Sequence, residues 1–482
     1  MRYHSTRSRD SFVDSAEAVI AGLAPDGGLY MPECLPVFDA QACLRQDVLG
    51  MATMILSAFL PEIPDMEGLV RKAYAGKFTA EDLTPTVPVG NFTVLELFHG
   101  PTSAFKDVAL SMLPQLLTAA RKAKGMEEDL MILTATSGDT GKAALEGFKD
   151  VDGIRICVFY PHGGVSKVQR AQMVTQEGAN VSVCAVKGNF DDAQTGVKRI
   201  FAACQGREDL HLSSANSINI GRLAPQITYY FKAYRDLLDR GVIQMGDEVN
   251  FSVPTGNFGD ILAGYLAKGL GLPVGKLICA SNANNVLTDF IRTGTYDRRR
   301  DLLKTQSPSM DILVSSNLER LLYLLSGDTE LVARLMGQLS EDGVYTVPEN
   351  LLETIQSLFW AGCCDDAGAR KATGAVWNDH RYLCDPHTAT GWAVAEDYVN
   401  QTGDRRPMVV LSTASAYKFP SAVLEALQAD READEFDQME QLSRLTGTPI
   451  PENLRTLREK AERHTDVIPK DEMLRFVLDA CK

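Results

Sequence analysis

No C-x-x-C spacing, no H-x-x-x-H or H-E-x-x-H pair and no apolar run of about 18 residues occurs in the 482-residue chain. A zinc site, a metalloprotease helix and a membrane-spanning helix are therefore not expected. The ten cysteines are scattered from Cys34 to Cys481 and read as reduced core thiols, not as a disulfide frame. Basic residues are outnumbered, 48 Lys and Arg against 63 Asp and Glu, and the net charge of −15 is wrong for a broad nucleic-acid or anionic-membrane surface. The N-terminal MRYHSTRSRD has none of the apolar stretch of a signal peptide. The expectation is a cytoplasmic protein with neither nucleic acid nor membrane as partner. What is present, 45% hydrophobic and 23% charged residues, is ordinary globular composition with length for two or three domains.

Residues 1–95 combine a helical stretch at 16–22, the turn-rich PDGGLYMPE at 25–33 and helical patterning from 47 to 60. From 130 onward short apolar runs alternate with helical ones: LMILTA at 130–135, RICVFY at 155–160 and VSVCAV at 181–186. The pattern resumes with VNFSV at 249–253, a helix at 260–271, LICAS at 277–281 and MVVLST at 408–413. Strand, helix, strand is the pattern of a parallel α/β sheet. The expected division is an N-terminal mixed or helical domain at 1–95, a smaller α/β lobe at 96–235 and a larger α/β lobe with the C-terminal tail at 236–482. The acidic run at 430–441 reads as a solvated surface segment.

Ligands of such sheets sit where strands end, so the loops after the apolar runs carry the chemistry. PTGNFGD at 254–260 lies between strand and helix and reads either as a phosphate cup or as a glycine-rich turn. TSGDTG at 136–141 fails the P-loop spacing, with Thr136 in place of glycine and Ala143 after Lys142. It suits a small anion, or merely caps the next helix through Asp139 or Thr140. Lys106, between small residues and an apolar helical run, is either a desolvated amine ready for Schiff-base chemistry or a surface lysine. Ser412, Thr413 and Ser415 follow a strand and offer a hydroxyl to a ring nitrogen. Asn216, Asn219 and Arg222 in SSANSINIGRLAPQ form an amide-rich face with a guanidinium that either holds an anion or sits in a structural ion pair. His99 and His387 read as satisfied buried histidines.

HGPTSAFKD, TSGDTG, SSANSINIGRLAPQ, PTGNFGD and a late STA turn in one order resemble the threonine synthase family, pyridoxal-phosphate enzymes of the tryptophan-synthase-β-like fold type. PDGGLYMPE is similar to the same family, so the resemblance runs from about residue 26 to 419. It implies two doubly wound α/β lobes with pyridoxal 5'-phosphate in the cleft between them. It also implies Lys106 as the lysine that forms the Schiff base, and Gly256, Asn257, Phe258, Gly259 and Asp260 as the cofactor-phosphate cup. Thr413 would face the pyridine nitrogen. Ser137, Asp139 and Thr140 would hold the amino acid's carboxylate and the cofactor's 3-hydroxyl side. Asn216, Asn219 and Arg222 would face the substrate, with Arg222 on its phosphate. No metal is implied.

The implied reaction converts O-phospho-L-homoserine and water to L-threonine and phosphate, with Lys106 as proton shuttle. A lyase of the same fold, such as a hydroxy-amino-acid dehydratase, would share Lys106 and the cup but need no second anion site. A cofactor-free phosphate-binding protein is the reading from another class. Relatives with this longer tail imply a monomer.

Overall fold

The computed structural model describes residues 1–136, 138–204 and 211–480. The runs LMILTA, RICVFY and VSVCAV become the adjacent parallel strands Leu130–Ala135, Ile154–Pro161 and Val181–Lys187. His211–Ser213 extends this sheet on one edge and Val467–Pro469 on the other, giving five strands. A second sheet has six strands in the order Phe359–Cys363, Val274–Ser281, Val249–Pro254, Met408–Ser412, Phe92–Glu96, Thr86–Val89, of which the last alone is antiparallel to its neighbour. Val249–Pro254 is buried along its full length, as expected of a parallel strand covered by helices on both faces. The α/β class and the two-lobe architecture are thus as the sequence implies.

The sheets do not follow the expected boundaries. Thr86–Val89 and Phe92–Glu96, within the 1–95 segment, complete the larger lobe's sheet because Phe92–Glu96 pairs with Met408–Ser412. At the other end, Val467–Pro469 pairs with Val181–Lys187 of the smaller lobe, and Met473 and Val477 bury themselves with Val197 and Ile200. The tail therefore returns to the lobe opposite the one expected for it. The acidic run enters helix Glu435–Thr446, which buries Phe436 and Met439 while keeping its carboxylates on the outer side. The first residues form an antiparallel sheet of Arg2–Ser5, Ser8–Asp14 and Tyr30–Pro32, followed by helices Val48–Phe59 and Met66–Tyr74.

One close approach places the two cleft helices. Pro114 lies inside helix Lys106–Ala123 and has no N–H, which leaves the Leu110 carbonyl without its intrahelical partner. Gly147 of helix Asp139–Phe148 passes so near that carbonyl that a Cβ would stand 2.0 Å from it. Only glycine permits this contact, which packs the end of helix Asp139–Phe148 directly against the first turns of helix Lys106–Ala123.

Candidate active site

Lys106 opens helix Lys106–Ala123, so its position depends on the loop before it. That loop is stitched down on both sides. The Asp107 carboxylate accepts from the Thr102 amide at 2.8 Å and the Thr102 hydroxyl at 2.6 Å. The Phe105 amide donates to the Thr413 carbonyl at 2.8 Å, and the Ser415 amide donates to the Ser103 carbonyl at 3.1 Å. The lysine loop and the STA turn are thus bonded to each other, although they lie far apart in the sequence.

The Lys106 amine is buried, sits over the Phe105 ring at 4.5 Å and donates to the Ser309 hydroxyl at 3.3 Å. Burial lowers its pKa from 10.5 to about 8; the Asp139 and Asp260 carboxylates oppose that shift, whereas Lys418 and Arg222 reinforce it. These four charged groups come from the TSGDTG loop, the PTGNFGD loop, the segment after the STA turn and the 213–226 segment. The motifs therefore converge on one amine.

The PTGNFGD loop runs from strand Val249–Pro254 into helix Gly259–Gly269. Phe258 takes φ 60° and is buried against Phe359, a strained backbone for a bulky residue that costs roughly 1–3 kcal/mol and recurs where ligands are clamped. At Gly256 a Cβ would stand 2.5 Å from the Ser309 carbonyl oxygen. The Ser315 hydroxyl donates to the Gly256 carbonyl at 2.7 Å, and the Asn317 side chain to the Asn257 carbonyl at 3.0 Å. With its carbonyls tied back in this way, the loop can present N–H groups of Asn257, Phe258, Gly259 and Asp260 to an anion. Gly256→Ala is expected to weaken cofactor retention about tenfold or more, read by titration of the visible absorbance, because a backbone clash forces the loop off Ser309.

Three expected side-chain roles change. Asn219 caps helix Ile220–Leu223, accepting from the Gly221 amide at 2.8 Å and donating to the Val19 carbonyl at 2.9 Å. It is fully buried and tied to the N-terminal helix, so its amide serves the helix cap. Asp260 Oδ1 accepts from the Tyr229 and Tyr230 hydroxyls, and a carboxylate repels a phosphate, so its amide and not its side chain suits the cup. Burial raises its pKa to about 6, with the tyrosine hydroxyls opposing. Asp139 is ion-paired with Lys418 at 2.6 Å and accepts from the Gln169 side chain at 3.0 Å. Burial pushes the Asp139 carboxyl up, but Lys418 and Lys106 outweigh it and hold it below the usual carboxylate range. An ionised carboxylate repels a substrate carboxylate, so of the two expected roles only that on the cofactor's 3-hydroxyl side suits this side chain.

Thr413 is buried, while Thr140 and Asn216 are half-buried at the same end of the sheets. Ser137 lies outside the described residues. Arg222 is buried, donates through Nη1 to the Ala215 carbonyl, and has no hydrogen-bond partner at Nε among the described residues. Burial lowers its pKa to about 10, and among the described residues no carboxylate pairs with it. A buried guanidinium without an acid partner is costly unless an anion arrives.

Sequence reasoning missed Lys418, fully buried, which also donates to the Thr102 carbonyl at 3.1 Å. Its signal was available, since it stands three residues beyond Ser415 in the same turn.

Comparison with known proteins decides the family. The family model "Threonine synthase N terminus" matches residues 2–74, "Pyridoxal-phosphate dependent enzyme" residues 78–414 and "Threonine synthase, C-terminal" residues 388–475. The chain belongs to the threonine synthase family. It is 40% identical to the threonine synthase of Pseudomonas aeruginosa over 437 residues, 88% of this chain and 90% of that one. It is also 40% identical to threonine synthase-like 1 of Homo sapiens, where the match takes in 86% of this chain and spans only 58% of the relative's length. The crystal structure of the pyridoxal-phosphate-bound threonine synthase from Brucella melitensis superposes with a TM-score of 0.89 at 38% identity, covering 100% of this chain and 98% of that one.

The cofactor of this family is pyridoxal phosphate, and the residues present fit it. A lysine amine with a lowered pKa, an anion cradle at a helix start that a Cβ on Gly256 would disrupt, and an orphaned guanidinium nitrogen all face one site. Among the described residues there is no His, Cys, Asp and Glu cluster for a metal and no helix long and apolar enough to cross a membrane.

Proposed function

We propose that the chain converts O-phospho-L-homoserine and water to L-threonine and inorganic phosphate, as a monomeric cytoplasmic lyase that binds pyridoxal phosphate through Lys106. The observation that carries this reading is Arg222, a buried guanidinium with no acid partner among the described residues, close enough to Lys106 to depress its pKa. It supplies a second anion site beside the PTGNFGD cup, which a hydroxy-amino-acid dehydratase has no need for.

The bound cofactor supplies the electron sink for negative charge at the substrate's α- and β-carbons. The chain's own residues do the rest. The Lys106 amine, free of proton above about pH 8, relays protons one at a time: the α-proton and the β-proton leave through it, one returns to the γ-carbon after phosphate leaves and, once water's hydroxyl has added to the β-carbon, one returns to the α-carbon, with water's other proton balancing the departing phosphate. Arg222 holds the phosphate oxygens as the γ-bond breaks and charge grows on them. N–H groups at 257–260 hold the cofactor's phosphate, Thr413 takes the pyridine-nitrogen side, and Thr140, Ser137 and Asn216 line the substrate. Asp139, held ionised by Lys418, keeps positive charge balanced around the amine.

The test is inorganic phosphate release from O-phospho-L-homoserine with threonine formed in equal amount. Deamination of serine or threonine in its place, with no phosphate release, would support the dehydratase reading.

A further inference from the structure

The Lys106 side chain has several rotatable bonds, yet its amine must meet an aldehyde whose phosphate is fixed by a different loop. One residue touches both. Ser309 accepts from the Lys106 amine through its hydroxyl, and its carbonyl oxygen lies in contact with Gly256 of the phosphate loop. We propose that Ser309 sets the position of the Lys106 amine relative to the phosphate loop, and that the buried His387–Asp385 pair is the device that holds Ser309 there. The inference rests on the assignment of Lys106 as the cofactor lysine.

Ser309 belongs to the single turn Pro308–Met310, in a connection between strand Thr295–Asp297 and helix Leu318–Ser326. No sheet supports it. Its amide instead donates to His387 Nε2 at 3.1 Å. An accepting Nε2 places the ring proton on Nδ1, which donates to Asp385 at 2.5 Å. Asp385 is itself immobilised as the cap of helix Pro386–Thr402, accepting from the His387 amide at 3.0 Å and the Thr388 amide at 3.1 Å. His387 and Asp385 are 2% and 1% exposed, so the chain of bonds is shielded from water. Phe419 closes the remaining side of the ring, edge-on with centroids 5.0 Å apart. Asp311 secures the far end of the turn, accepting from Asn282 at 2.8 Å and Asn284 at 3.0 Å.

His387 and Asp385 never reach the amine, and act only through the backbone of Ser309. They are positioning residues. A histidine here supplies what a purely structural side chain would not: a fixed acceptor at the Nε2 position, opposite a buried N–H that is costly to leave unpaired.

The test uses full-length Ser309→Ala, His387→Ala and His387→Gln, the last placing an amide oxygen near the lost Nε2. Ser309 is half-buried, so its alanine variant removes a hydroxyl without opening the core. One readout needs no loaded enzyme: the pH midpoint for acetylation of Lys106 by acetic anhydride in the cofactor-free chain, followed by peptide mass mapping. The other is the split between kcat and KM for O-phospho-L-homoserine. Ser309→Ala is expected to lower the labelling midpoint, because the lost bond favours the ammonium form, and to lower kcat about tenfold with KM nearly unchanged. His387→Ala should do the same, and His387→Gln should restore most of both. Unshifted labelling and unchanged kcat in Ser309→Ala would overturn the proposal for Ser309. A His387→Gln variant no better than His387→Ala would remove the histidine's acceptor role. A cofactor that attaches to some other lysine in the unsubstituted protein would overturn the Lys106 assignment, and this inference with it.

Discussion

Lys106→Ala is expected to lower turnover about a thousandfold or more, since the amine is the only general base assigned to every proton transfer. The same variant is expected to fold at least as stably as the unsubstituted chain when both are free of cofactor. Burial lowers the amine's pKa from 10.5 to about 8, so the folded state holds this proton less tightly than the unfolded state does. The penalty is complete below about pH 8 and fades as pH rises to 10.5. The stability advantage of Lys106→Ala is therefore largest near neutrality and vanishes in alkali, which thermal melts across that range would register. Turnover within tenfold of normal would mean that another group moves the protons. A variant less stable at neutral pH would mean that the amine is held by pairing and is not penalised by burial.

Arg222→Met separates function from stability in the opposite sense. Among the described residues the buried guanidinium has one carbonyl partner, an unpartnered Nε and no carboxylate. Replacing such a group by an apolar one of similar length is commonly neutral or stabilising. The melting temperature should hold or rise, while kcat/KM for O-phospho-L-homoserine falls about a hundredfold or more because the departing phosphate loses its charge partner. Cofactor absorbance should be unchanged. Arg222→Lys should rescue little, since an ammonium offers a point charge where a fork of donors is needed. Loss of cofactor together with activity would reassign Arg222 to the cofactor's phosphate, and unchanged kinetics would remove it from the site.

The expected strands were legible because apolar runs such as LMILTA mark parallel strands buried on both faces. Val467–Pro469 was not, since three residues carry no period and find their place only by pairing with Val181–Lys187. Arg2–Ser5 and Ser8–Asp14 hid behind polar composition, although Tyr3 and His4 are fully buried. In the site, the glycines of PTGNFGD were readable because close backbone approach requires them. Asn219 and Asp260 misled because side-chain direction is set by tertiary neighbours, the Val19 carbonyl in one case and two tyrosines in the other. Ser309 has a different cause: it lies far from Lys106 in sequence and acquires a role only when the two segments meet. His387 is the satisfied buried histidine that its sequence context implies, with Asp385 on one ring nitrogen and the Ser309 amide on the other.

The most direct test of the account is to reduce the cofactor-loaded protein with borohydride, digest it and locate the pyridoxyl group by peptide mass. The account requires a visible absorbance that reduction abolishes and a label confined to the peptide carrying Lys106. A label on Lys418 or any other lysine, or a protein that takes up no pyridoxal phosphate, would contradict it.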